Sequence, residues 1–356
     1  MAAQWAKLVC MTRATANSVL PLRDQRLIAA LQYDARLSAE NAAAVLDLSP
    51  GTVRRRWQTM AADGTLRVVI SPIARPRKSG LSGAQLLHIR VRRDAADAVA
   101  RSLVAHDDVP FIDITTSGDE IVAIAATEPG SRDPLVFRRL PSTQAVLSVE
   151  TVTVLHVLRV TSEWRHQVLS PEEIKALALL GRSTGAPGTP GDSGTPGDSG
   201  AGGPYGVETD ALEHAILDAL TPDARLPAAA VAARTGLPES TVRRRIARLT
   251  EEGRLITQVV VDPRRLGLQI NAELRLRVSP DHLDRAGRRL AEHTAVHGAF
   301  ATSGPSNLSL HAWFPDPDAL YRFISRDVTG LGITSIETTI ISHWAKRPWG
   351  TYPRSS

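Results

Sequence analysis

The run Thr-Val-Arg-Arg-Arg occurs twice, at Thr52–Arg56 and at Thr241–Arg245. Guanidinium groups fork onto phosphate oxygens and guanine edges, so clustered arginines suit a polyanion when the backbone turns them outward. Helical spacing decides which ones turn outward. Val242, Ile246 and Leu249 form an i, i+4, i+7 apolar stripe, and Val53, Trp57 and Met60 repeat it. That phase directs Arg54 and Arg55, and Arg243, Arg244 and Arg248, away from the core. Arg56 and Arg245 fall three residues from the buried valines, where an ion pair to a neighbouring acid is expected. Ser49 and Pro50 read as a helix start, the hydroxyl capping free N–H groups and the proline fitting the first turn. With Thr52 and Gln58, and with Ser240 and Thr241 in the second copy, these residues make up the expected DNA-contacting set. Pro238 replaces Ser49 in the second copy, so capping there is expected to pass to Glu239 or Ser240.

The elements that must position these side chains are duplicated. At a shift of 189 residues, 17 of the 43 positions from 24 to 66 are identical, including Asp34-Ala35-Arg36-Leu37 with Asp223-Ala224-Arg225-Leu226 and Gly64 with Gly253. In the second copy Leu212, Ile216, Leu217 and Leu220 predict a first helix, residues 228–233 a second that ends near Gly236, and Glu239 begins a third. Residues 255–261 with Asp262-Pro263 are expected to form a two-stranded wing. Three helices and a wing make a winged helix-turn-helix, whose third helix reads the major groove.

The rest of each unit reads βαββαβ. In the second unit the pattern predicts strands at 272–278, 296–303, 308–314 and 333–343, with helices at 280–293 and 318–327; the first unit repeats it over 86–157. The expected fold class is therefore α+β, with two tandem units, each a winged helix-turn-helix followed by a ferredoxin-like domain. The other face of each sheet needs a cover, and pairing of the two sheets supplies it. The expected layout is an extension at 1–20, helix-turn-helix units at 21–80 and 207–267, ferredoxin-like domains at 81–165 and 268–350, and a linker at 166–206. The linker holds TPGDSG twice and cannot bury a core. Its Gly/Pro/Ser-rich part, Gly181 to Gly206, about 26 residues, has a mean span of roughly 28 Å, which is compatible with half-sites roughly 34 Å apart and implies a pseudo-dimer within one chain.

Bulk properties exclude several classes. The net charge of +5 and pI near 9.8 favour an anionic partner. A single cysteine excludes an intrachain disulfide and any cysteine-based zinc site. No apolar run is long enough for a membrane span, and the N-terminus lacks the apolar core of a signal peptide, so a cytoplasmic protein with no membrane partner is expected. Neither a nucleotide-binding glycine loop nor a nucleophile–base constellation occurs, so no enzyme activity, catalytic residue, cofactor or metal is expected.

The residues Ala30-Leu31-Gln32-Tyr33-Asp34-Ala35-Arg36, Leu48-Ser49-Pro50, Arg56, Gly64, Thr116-Ser117-Gly118-Asp119-Glu120, Arg139-Leu140-Pro141 and Val146-Leu147-Ser148-Val149, taken in order, resemble the Lrp/AsnC (feast/famine) family. The resemblance implies a bacterial, cytoplasmic regulator of transcription that binds double-stranded DNA, dimerises through its ferredoxin-like (RAM) domains, assembles further as a homo-oligomer, and answers to an amino acid or related metabolite. By the same resemblance Ser117, Gly118, Asp119 and Glu120, and Ser303, Gly304, Ser306 and Asn307, are effector-site residues. The acidic pair Asp119-Glu120 has Pro305-Ser306 as its counterpart, so one proper effector site per chain is expected. Two other readings stay open: a haem-biosynthesis decarboxylase of similar architecture, against which the histidines His88, His156, His311 and His343 look scattered, and a metabolite-binding protein without DNA binding.

Overall fold

The structure is a computed structural model and describes residues 18–70, 83–106, 108–125, 144–184, 210–221, 223–252, 254–255, 257–347 and 350–351. The first unit runs α1 (Leu22–Tyr33), α2 (Ala39–Leu46), α3 (Pro50–Ala62) and β1 (Arg67–Ile70), then β2 (Gln85–Val91), α4 (Ala96–Val104), β3 (Phe111–Thr115), β4 (Glu120–Ala125) and β5 (Val146–Arg159). A helix α5 (Pro171–Thr184) follows. The second unit runs α6 (Ala211–Leu220), α7 (Ala228–Thr235), α8 (Glu239–Glu251) and β6 (Thr257–Val260), then β7 (Ile270–Val278), α9 (Leu283–Ala291), β8 (Val296–Thr302), β9 (Leu308–Phe314), α10 (Pro317–Arg322), β10 (Ile333–Arg347) and β11 (Gly350–Thr351). The class is α+β, with a three-helix module twice. The second helix expected in the first sheet domain, with Arg139-Leu140-Pro141, lies outside the described residues, as do Gly253 and the 1–17 segment.

Each three-helix module closes on the apolar stripe its spacing predicts. Val53, Trp57 and Met60 are buried with Leu27, Ile28, Leu31 and Leu46. Val242, Ile246 and Leu249 are buried with Ile216, Leu217 and Leu220. Each such aliphatic side chain removed from water contributes about 1.5–3 kcal/mol, which holds three short helices together despite weak intrinsic helicity. Leu212, expected on this stripe, is instead 40% exposed. The turn between second and third helices needs a left-handed residue, supplied by Asp47 (φ 55°) in the first copy and Gly236 (φ 71°) in the second.

The expected two-stranded wings are corrected by the pairing. Among the described residues each unit contributes one strand, and β1 pairs antiparallel with β6 of the other unit, Arg67 opposite Val260 and Ile70 opposite Thr257. Two arginines at equivalent positions lock this ribbon. Arg36 donates to the carbonyls of Ala224 and Leu226, and Arg225 donates to those of Ala35 and Leu37, at 2.7 and 3.1 Å. The Arg225 guanidinium also lies 4.7 Å from the centre of the Trp57 ring.

The second-unit sheet has strand order β10-β7-β9-β8, and the first-unit strands lie in the matching order β5-β2-β4-β3. The last strand of each sheet then pairs with the outer strand of the other: β5 with β8 and β10 with β3. The eight strands close into one ring, with α4 on the outer face of one half and α9 and α10 on the other. Pairing of the two sheets within one chain, expected from their uncovered faces, removes every long edge strand.

The linker expectation is corrected at its start. Residues 171–184 are helical, and α5 docks on the first module, with Leu177 buried in its core and Glu173 paired with Arg26.

Candidate nucleic-acid interface and sensor loops

Ser49 caps α3, its hydroxyl accepting from the Thr52 N–H at 3.1 Å and lying 2.9 Å from the Thr52 hydroxyl, with Pro50 in the first turn. In the second copy α8 starts at Pro238 with no side-chain cap, so the expected transfer to Glu239 or Ser240 does not occur. Glu239 is instead engaged with Arg243 one turn on.

The outward arginines stand as the helix phase requires. Arg54, Arg55, Arg243 and Arg244 are exposed, as are Gln58 and Ser240, while Thr52 and Thr241 are half-buried. Arg54 rests on Glu40 of α2 at 2.9 Å, an exposed pair that water and salt screen readily. Arg55, Arg244 and Gln58 have no side-chain hydrogen bond or ion pair among the described residues. The edge arginines are structural, as expected: Arg56 grips buried Asp24 in a fork, and Arg245 pairs with Asp210 and Glu213. Arg248 is also exposed, as expected, but it is engaged. Its guanidinium is bound to Glu213, a buried carboxylate also held by Arg254 at 2.7 Å. Burial would raise the Glu213 pKa, but Arg254 and Arg248 hold it below the usual carboxylate range. In the first copy Thr59 and Thr65 stand where Arg248 and Arg254 stand in the second, so Asp24 needs only one cation.

The two loops expected to bind an effector differ in what their groups already do. Gly118 sits at φ 70° in the β3–β4 turn, the Ser117 hydroxyl lies 2.9 Å from that of Thr115, and the Thr115 hydroxyl donates to the Glu120 carbonyl. The Ser117 hydroxyl lowers the pKa of Asp119, whose side chain is 48% exposed with Arg93 at 3.9 Å. In the other loop the groups are used to hold the fold. The Asn307 amide spans the N–H and C=O of Val278, the Ser303 hydroxyl accepts from the Thr153 N–H, and the Ser306 carbonyl accepts from Thr302. At Gly304 (φ 91°) a Cβ would stand 3.1 Å from Val152 of the other sheet. Of these two loops only the Gly118 loop carries carboxylates, and that of Asp119 stays half-exposed beside Ser117 and Arg93.

Glu120, assigned to the effector set, turns inward instead. Its carboxylate meets His88 Nδ1 at 3.2 Å, and His88 Nε2 lies 3.4 Å from Glu273 on the second sheet. Burial would lower the His88 pKa, but Glu273 and Glu120 raise it well above the imidazole range. Burial would raise that of Glu273, but His88 holds it well below the carboxylate range. A buried ionised bridge thus joins the two sheets inside the ring. His311, opposite Glu273 in register, and His297, 6.2 Å from it, are buried and kept neutral by desolvation. The histidines His88 and His311, read as scattered along strands, therefore converge with His297. The sequence signal was there: Ala272, Leu274 and Leu276 face the helices, which puts Glu273 on the opposite face of the same strand.

A model of the AsnC-type helix-turn-helix domain matches residues 23–61 and again 210–250, and one of the Lrp/AsnC ligand-binding domain matches 271–348. An uncharacterised HTH-type transcriptional regulator of Pyrococcus horikoshii is 30% identical over 146 residues, covering 40% of this chain and 91% of that protein. The HTH-type transcriptional regulator LrpA1 of Halobacterium salinarum is 30% identical over 142 residues, covering 39% of this chain and all of that one. Both relatives are archaeal, so they lend nothing to the expected bacterial source. Among solved structures, E. coli AsnC is 25% identical with a TM-score of 0.36, over 38% of this chain and 94% of that one. The siroheme decarboxylase NirDL is 14% identical with a TM-score of 0.49, over 91% and 92%. Neither structural likeness carries an assignment of chemistry. On the doubled helix-turn-helix match, the ligand-binding-domain match and a relative covered over nine-tenths of its length, this chain belongs to the Lrp/AsnC family of transcriptional regulators.

Proposed function

We propose that the chain is a sequence-specific, non-enzymatic regulator that acts as a built-in heterodimer. It places two unlike recognition helices on double-stranded DNA and answers to a small metabolite of the amino-acid class. The observation that carries this reading is the joined pair of helix-turn-helix modules. The β1–β6 ribbon and the Arg36 and Arg225 locks fix α3 and α8 in one body, and each helix presents exposed arginines at equivalent positions. Ser49 and Pro50 begin one helix and Pro238 begins the other, so the operator read is a pseudo-palindrome with unlike halves. The first-unit sheet is a second ligand-binding domain of the same ferredoxin-like type, and Asp119 on the Gly118 loop is the carboxylate that meets an effector ammonium group. The protein works in the cytoplasm; among the described residues no helix is long and apolar enough to cross a membrane.

DNA retention against salt tests the reading. Arg55→Ala and Arg244→Ala should each flatten the slope of log K against log salt by about 0.9, the loss of one neutralised phosphate, or relax selection at one base step. Unchanged affinity, slope and selected sequence in the double variant would leave a metabolite-binding protein without DNA binding.

A further inference from the structure

The segment after β5 crosses from the first sheet to the second and then to the first helix-turn-helix. Arg159 donates to the carbonyls of Ala291 and His293, and the Trp164 indole N–H donates to that of Thr294 at 2.8 Å. Two residues on, the His166 N–H donates to Gln32 of α1 at 2.8 Å, its Nε2 lies 2.8 Å from the Gln25 side-chain oxygen, and the Arg165 guanidinium lies 5.7 Å from the centre of the Tyr33 ring. Trp164 is buried within the core of that module, against which Trp313 of β9 also packs. The strap therefore fastens the first module to the second sheet.

Its anchor connects inward. Trp313 meets Trp164 edge-on at 4.8 Å and stacks on His297 at 3.7 Å, and His297 Nδ1 lies 3.3 Å from the Thr161 hydroxyl of the strap. His297 neighbours His311, which stands opposite Glu273, and Glu273 is bridged through His88 to Glu120. From the Gly118 turn to α1 the steps are hydrogen bonds, one ion pair and ring contacts, with Glu273 and His311 meeting as cross-strand neighbours of the β7–β9 ladder, and the route crosses from the first sheet to the second on the way. Among the described residues the second module has no equivalent: β10 pairs with β11.

We propose that Glu120, His88, Glu273, His311, His297 and Trp313 form one coupling route from the Gly118 loop to the Trp164 strap, so that the state of this loop sets how firmly the first reading head is held. Glu120 is a positioning residue in this route, acting through His88, and the strap is the element with a docked and a released state. The inference rests on the proposed sensing role of the Gly118 loop, and its regulatory consequence falls on the first recognition helix alone.

The test needs neither DNA nor an effector. In the full chain, hydrogen exchange of the Trp164 indole N–H and the His166 amide is measured by NMR for wild type, Glu120→Gln, His88→Gln and, as a control off the route, Asp97→Asn on the exposed face of α4. Both reporters should exchange at least about fivefold faster in Glu120→Gln and in His88→Gln, with the amides of α6 unchanged and Asp97→Asn like wild type. Conversely, Trp164→Phe should shift the His88 ring nitrogen resonances, because coupling is reciprocal. Should one substitution at the bridge prevent folding, the other gives the same reading. Unchanged exchange at both reporters in the folded bridge variants, or equal acceleration by Asp97→Asn, overturns the route. Either result leaves the DNA reading standing, since that reading fails only in the salt-titrated retention assay.

Discussion

Removing the Arg225 side chain should loosen the two helix-turn-helix modules from each other without unfolding either. Arg225 makes two charge-assisted bonds to carbonyls of the other unit and one cation–π contact with Trp57. At about 1.5–3 kcal/mol for each bond and about 1–2 for the ring contact, the gross contribution is about 4–8 kcal/mol. Burial of the cation, which lowers the pKa of Arg225, offsets part of it. A net cost of about 2–4 kcal/mol for Arg225→Ala follows. The ribbon of β1 with β6 opens with the modules, so its amides should exchange about 30- to 1000-fold faster, since each 1.4 kcal/mol is tenfold. Arg36→Ala should do the same from the opposite side, and Arg225→Lys should retain less than half the effect because an ammonium cannot fork onto two carbonyls. Amide exchange read by mass spectrometry over 67–70 and 257–260 measures this. A change of less than about threefold in both alanine variants would refute the clamp.

Three further outcomes follow from the same geometry. Glu213→Ala removes the buried carboxylate that Arg254 and Arg248 share, and should cost the second module about 3–5 kcal/mol; in the first module the fork from half-buried Arg56 onto Asp24 makes Asp24→Ala the milder change, and thermal melts of the two variants rank them. Gly332→Ala places a Cβ 2.5 Å from His282 at φ 69°, whereas Gly330 at φ 75° has open space, so the first should cost about 2–5 kcal/mol and the second about 1–2 in chemical denaturation. Burial lowers the His166 pKa to about 4. An imidazole kept neutral in the fold takes up no proton while the unfolded chain does, so its stabilising share is complete above about pH 6.5 and is lost as pH falls towards 4. Full burial would make this about 3 kcal/mol, and solvent screening of the half-buried ring reduces it to about 1–2 kcal/mol. Wild type should lose that much more stability than His166→Gln between pH 7 and 4.

Local periodicity carried most of the fold. The stripe of Val53, Trp57 and Met60 and its copy fixed the phase of both third helices, and with it the outward arginines and the structural pairing of Arg56 and Arg245. Alternation along β7 and β9 fixed which side chains face the helices. These patterns need only neighbours three, four or two residues away, which is the range over which one sequence dictates geometry.

Whatever depended on partners distant along the chain was left to the tertiary structure. Arg248 is exposed as its phase requires, yet its guanidinium is tied to a buried carboxylate 35 positions away that a second arginine also holds. Glu120 has the address of an effector ligand, but closure of the sheets turns it towards His88 and Glu273. The expected wing strand became a ribbon with its counterpart because each lone strand satisfies its backbone groups on the other unit. The sequence by itself therefore determined that two reading heads and paired sheets exist and which arginines face outward. Only the tertiary structure decided how the copies lock together, since the locking groups are carbonyls, buried ions and stacked rings whose partners come from the other half of the chain.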